Sequence, residues 1–180
     1  MLTGLELESM AIEMPAMGRH PNREGFRGVL TLVDVTSDRA PTGAQGHRVV
    51  LMRKAAEEAL PSLLGMGLDY SLAFDRHDTR RKVGVITRAE IVGRCLELGG
   101  YLYAKDFPEI VEEISRSSLM AGAGSRTRPH TNLGMSYEIT EVNVMDMRSS
   151  VWVLTHVVFT GAAILRKEKA AYQETWIEME

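Results

Sequence analysis

A serine hydroxyl is a weak nucleophile until a neighbouring base takes its proton, so a serine with a histidine in reach is the first chemistry to look for. Ser136 stands in "LGMSYEI", where Met135, Tyr137 and Ile139 alternate with Ser136, Glu138 and Thr140, the pattern of a half-buried strand. The chain has five histidines. His77 lies in "DRHDT" beside Asp78, at the boundary of two predicted strands, where a side chain can project from a rigid frame into a cleft. His156 lies in "VWVLTHVVF", a run otherwise apolar enough to be core. His20, His47 and His130 fall in leader or loop segments, where solvent contact is the ordinary role. Each of these residues also has a plain structural reading: a strand serine hydrogen-bonds, a histidine in an apolar strand fills the core, and a histidine in a polar turn faces water. "GMSYE" lacks the second glycine of a G-x-S-x-G elbow, which argues against an α/β-hydrolase. His77, Asp78 and His156 are metal-ligand types without the short spacing of a metal motif, so no metal and no other cofactor is expected.

The elements that must position these residues belong to a chain of 180 residues with 44% apolar content, the size and composition of one domain with its own core. A net charge of -3 gives no global attraction to nucleic acid or anionic lipid, and the local run Arg76, Arg80, Arg81 and Lys82 reads as a solvated turn. The single cysteine, Cys95, excludes an intrachain disulfide framework and a four-cysteine zinc site, and fits a reducing compartment. It reads as a buried structural thiol in a strand. The opening "MLTGLELESMAIEMPAMG" carries acids and no basic start before an apolar block, so secretion is not expected. "VWVLTHVVFTGAAIL" contains threonines and a histidine and is shorter than the roughly 20 residues of a membrane helix, so a soluble protein without membrane contact is expected.

Along the chain, residues 1–25 read as an arm without sustained period. "GVLTLVDV" has the β-branched density of a strand and "TSDRAPTGAQGH" is a loop. A helix is expected at about Val49 to Leu60, ended or kinked by Pro61. The stretch from Leu68 to Asp106 alternates between turn-like "DRHDTRRK" and "ELGG", suggesting consecutive antiparallel strands. A second helix is expected from about Pro108 to Met120, then a loop in "AGAGSRTRPHTN", then two strand-rich segments around Ser136 and His156. The last residues, "KEKAAYQETWIEME", lean helical. The pattern is mainly β (α+β), with two or three helices.

Taken together, "VDVTSDRAPTGAQGHRVVL", "HDTRRKVGVI", "LGMSYEI" and "FTGAAILRKEKAAY" resemble segments of the prohead (capsid maturation) proteases of tailed bacteriophages, related in fold to the herpesvirus assembly proteases, the assemblins. The resemblance covers roughly residues 28–172. It implies an assemblin-like closed antiparallel β-barrel of about seven strands surrounded by helices, with an arm at 1–25, the protease domain at 26–172 and a tail at 173–180. It also implies a serine endopeptidase that cuts scaffold, capsid-interior proteins and itself inside the prohead, assembled in the host bacterial cytoplasm. Its partners would be scaffold and major capsid proteins, with a homodimer as an option and no specific nucleic acid.

By the same resemblance, Ser136 is the nucleophile, His77 the general base, and His156 the third member of a Ser-His-His triad, with Glu138, Glu141 and Asp146 as fallbacks. Oxyanion donors would come from a loop after His156, near Thr160, Gly161 and Ala162. The base must be neutral to accept a proton, so activity should fall on acidification through the ordinary imidazole range of about pH 6 to 7. Two rivals stand beside this reading. One is a non-catalytic scaffold or interior protein on the same fold, and the other a metal-dependent hydrolase built on His77, Asp78 and His156.

Overall fold

The computed structural model describes residues 10–119 and 132–180. The predicted loop in "AGAGSRTRPHTN", with His130, lies outside the described residues except for Asn132, as does the start of the arm.

The strands are β1 (Met10–Glu13), β2 (Arg23–Leu32), β3 (Arg48–Leu51), β4 (Gly67–Tyr70), β5 (Lys82–Val92), β6 (Cys95–Tyr103), β7 (Leu133–Val144), β8 (Val151–Arg166) and β9 (Trp176–Met179). The helices are α1 (Arg53–Ala59) and α2 (Pro108–Leu119). Seven strands follow one another in the order β3-β8-β4-β5-β6-β2-β9, with β1 added to β5 and β7 to β8. The fold is therefore mainly β, a curled sheet that wraps its core as a half-barrel, with the helices packed around it.

Period-two burial explains the curl. Leu96, Leu98 and Leu102 of β6 are buried on one face, and Ile86, Ala89 and Ile91 of β5 join the same core across a register shift between Ile86 and Arg88. Such a bulge bends the strand and increases its twist. β8 is 16 residues long. On one side it pairs along its length with β7, and on the other it takes β3 and then β4 in tandem, both parallel. The expectation of a wholly antiparallel barrel is corrected here: α1 connects β3 to β4 and packs on β8, so both strands run in the direction of β8.

The expected closure takes another form as well. No ladder joins β7 to β2 or β9 among the described residues, but β7 packs against both. The link is a side chain. Buried Thr175 donates from Oγ1 to Tyr172 O at 2.9 Å and accepts the N–H of Met135 at 3.2 Å. The tail is corrected too, since Trp176–Met179 is a strand on β2 rather than a helix. Likewise the helix expected from Val49 begins only at Arg53, because Val49 and Leu51 are core-facing members of β3.

Candidate active site

β7 sets the direction of the candidate nucleophile. Met135 is buried in the core and Tyr137 and Ile139 pack against it, while the Tyr137 hydroxyl is buried with no hydrogen-bond partner among the described residues. Alternation then turns Ser136 and Glu138 to the outer face. The register across the sheet extends this into rows. Ser136 lies opposite Ala163, which pairs with Asp69 of β4, which pairs with Lys82 of β5. In the next row Glu138 lies opposite Gly161. The two faces of one strand thus divide the work: the inner face anchors it and the outer face carries polar groups.

His77 reaches this face from the turn-rich segment between β4 and β5. That segment is held at several points. The Ser71 hydroxyl donates to the Asp75 carboxylate at 2.8 Å and accepts the N–H of Asp75 at 3.1 Å, which holds the Asp75 carboxyl below its ordinary pKa. Phe74 packs against the core, its ring beside Tyr70, and its carbonyl accepts the N–H of Arg166. Next to His77, the N–H of Asp78 donates to Asp69 Oδ1 at 2.9 Å. The imidazole so placed has Nδ1 3.2 Å from Glu138 Oε1.

The electrostatics decide the tautomer. Hydrogen bonding from His77 holds the Glu138 carboxyl down to about 2 against the opposing effect of burial, with help from the Lys82 charge. An ionised carboxylate only accepts, so Nδ1 carries the proton and donates it to Glu138. In the neutral ring Nε2 then keeps its lone pair and can accept a proton. Two residues along a strand separate side chains by about 7 Å, the span of an imidazole with one hydrogen bond at each end.

Behind this pair, Lys82 Nζ stands 3.3 Å from Asp69 Oδ2 and 3.5 Å from Glu138 Oε2. Asp69 is fully buried, and burial, followed by the neighbouring Glu138 carboxyl, raises its own carboxyl to about 6. Two glycines make the close approach possible. A Cβ at Gly67 would lie 2.5 Å from the Lys82 stem, and one at Gly161 would lie 2.6 Å from Glu138 Oε2 and 3.3 Å from Lys82 Nζ. Both side chains therefore lie flat on the sheet. One ligand atom from each of Asp69, His77 and Glu138 falls within 4.8 Å of the others, a spacing that could hold a cation. The Lys82 ammonium already bridges the two carboxylates, and a metal ion would have to displace it.

Three sequence expectations are placed differently. His156 lies on β8 opposite Asn143, seven positions before the partner of Ser136, or roughly 20 Å along the strand. It cannot orient His77, and Glu138 occupies that position instead. The other fallbacks, Glu141 and Asp146, lie at the far end of the β7–β8 hairpin, where Asp146 accepts the N–H of Arg148. No loop follows His156: Thr160, Gly161 and Ala162 lie inside β8, Gly161 and Ala162 in register with Glu138 and Tyr137, and Thr160 exposed at a register shift. The grouping of His77, Asp78 and His156 is not assembled either, since the Asp78 carboxylate pairs with Arg81 at 3.1 Å.

Asp69 and Lys82 were not singled out from sequence as members of a site. The signal was there in "GLDY", an acid held between apolar strand positions, but its meaning depends on which strand lies beside β4. A cavity of about 860 Å³ is bounded by residues that include Leu72, Phe74, Asn132, Leu133, Arg166 and Lys167. It borders both the strand of Ser136 and the segment of His77.

No protein-family model matches the chain, and no curated protein matches it. Among solved structures, the chain is similar to the KSHV protease in complex with a hexapeptide phosphonate inhibitor, at 13% identity and a TM-score of 0.44. The match covers 79% of this chain and 59% of that one, so the chain spans less than two thirds of that protease's length.

Proposed function

We propose that this chain is a serine endopeptidase acting through an acyl-enzyme, with Ser136 as nucleophile, His77 as base and Glu138 as the group that orients the base. The observation that carries the reading is the His77 Nδ1 to Glu138 Oε1 contact of 3.2 Å on the strand face that also bears Ser136. In this mechanism Ser136 Oγ attacks the scissile carbonyl while His77 Nε2 takes its proton, and the same nitrogen later returns a proton to the leaving amine. Water then enters, His77 removes its proton, and the ester to Ser136 is hydrolysed. Glu138 keeps the imidazole in the tautomer with Nε2 free and stabilises the imidazolium that forms. A carboxylate does this better than the neutral histidine expected from sequence, because it meets the developing charge with an opposite one.

For the biological role we propose prohead maturation, in which the enzyme cuts scaffold, capsid-interior proteins and itself. That part rests on the sequence resemblance alone. The cavity bounded by Leu72, Phe74 and Leu133 lies at the start of the strand that carries Ser136. The test is scaffold and self-cleavage by the wild type against Ser136→Ala and His77→Ala. Loss of cleavage in both variants supports the reading, and unchanged cleavage in both leaves a non-catalytic interior protein as the better account.

A further inference from the structure

Asp69 has no place in a serine triad, yet it is fully buried and its two carboxylate oxygens are turned to different tasks. Oδ1 accepts the N–H of Asp78 at 2.9 Å, the residue directly after His77. Oδ2 receives Lys82 Nζ at 3.3 Å, and that ammonium extends to Glu138 Oε2 at 3.5 Å. Burying a carboxylate is unfavourable unless its partners compensate, so a solvent-facing role is excluded and the partners carry the meaning.

We propose that Asp69 is a positioning residue for His77, fixing the main chain beside the histidine through Asp78 and, through Lys82, the carboxylate that the histidine engages. The inference rests on the reading of His77 and Glu138 as a catalytic pair and extends it to the strands beneath. A single side chain in β4 thereby sets both ends of one hydrogen bond. The segment bearing His77 has no strand pairing of its own between β4 and β5, so the Asp78 N–H is a tie close to the imidazole that a substitution can remove. Lys82 holds two nearby carboxylates together, which would otherwise repel each other and pull Glu138 away from the ring.

The experiment combines kinetics with a direct view of the imidazole in the intact chain. In the wild type, proton NMR should show a downfield Nδ1–H resonance from His77, assigned by its loss in His77→Ala. Asp69→Ala should lose that resonance and lower kcat about tenfold with KM within about twofold of the wild type, because the base is misplaced rather than the substrate site. Asp69→Asn keeps an oxygen for the Asp78 N–H and should retain the resonance, with kcat recovered to within about threefold of wild type. Should Asp69→Ala not fold, Lys82→Met, which keeps the apolar stem over Gly67, decides the other arm with an expected fall in kcat of about threefold or more. The inference is overturned if Asp69→Ala keeps both resonance and rate, if Asp69→Asn loses the resonance, or if Lys82→Met leaves kcat unchanged. Failure of the protease reading looks different: wild-type Ser136 would not react with a serine-directed phosphonate, and the NMR arm would still decide whether Asp69 positions His77.

Discussion

His77 Nδ1 and Glu138 Oε1 stand 3.2 Å apart, and Glu138 is two residues from Ser136 on the same face of β7. The proposed nucleophile and the carboxylate proposed to orient its base are thus carried on one strand, while the proposed base arrives from a separate segment. This arrangement ranks the triad candidates. Glu138→Ala should lower kcat by about 10²-fold to 10⁴-fold, while His156→Ala should stay within about threefold of wild type, with unchanged circular dichroism in both. The reverse ranking would return the third position to His156.

Gly161 supplies a second test. A methyl group there would sit 2.6 Å from Glu138 Oε2, the mobile end of its side chain, and 3.1 Å from the Gly67 carbonyl oxygen, which is sheet backbone, so the carboxylate must move and the strands must give slightly. Gly161→Ala should therefore cost about 1 to 3 kcal/mol of stability and reduce kcat about tenfold or more. Thermal melts beside steady-state kinetics check both halves.

The linked titrations of Glu138 and Asp69 predict opposite pH effects on stability. Glu138 titrates at about 2 in the folded chain, so between that value and the ordinary carboxylate range the unfolded state binds more protons and stability rises with pH. Its contribution is present above about pH 4.5 and fades as pH falls toward 2. Asp69 is raised to about 6, so its contribution is present below its ordinary value of 3.8 and is lost as pH rises through about 6. Urea unfolding across this range should show the wild-type advantage over Glu138→Gln shrinking in acid. Asp69→Asn should gain relative to wild type as pH rises from 4 to 7, a window that brackets the Asp69 titration.

Much of the β architecture was legible because apolar residues alternate with polar ones around Ser136 in β7 and burial alternates along much of β6. What escaped was whatever depends on a partner strand. The tail's Ala, Lys and Glu are good helix formers, yet pairing Trp176–Met179 with β2 overrides that weak preference. His156 was placed correctly in a strand, but register shifts around Thr140 and Asn143 fix where along β7 it lands, and composition does not reveal them. Glu138 was visible as the face-mate of Ser136. Its partner was not legible, because His77 comes onto the strand from the separate segment between β4 and β5.

The most direct test of the central claim is the site and rate of modification by a peptidyl phosphonate, read by intact mass and peptide mapping. Wild-type protein should take up one adduct, on Ser136, and Ser136→Ala should take up none. His77→Ala and Glu138→Ala should react at least about 10²-fold more slowly while His156→Ala reacts at the wild-type rate. An adduct on another residue, or equal labelling of wild type and His77→Ala, would contradict the account.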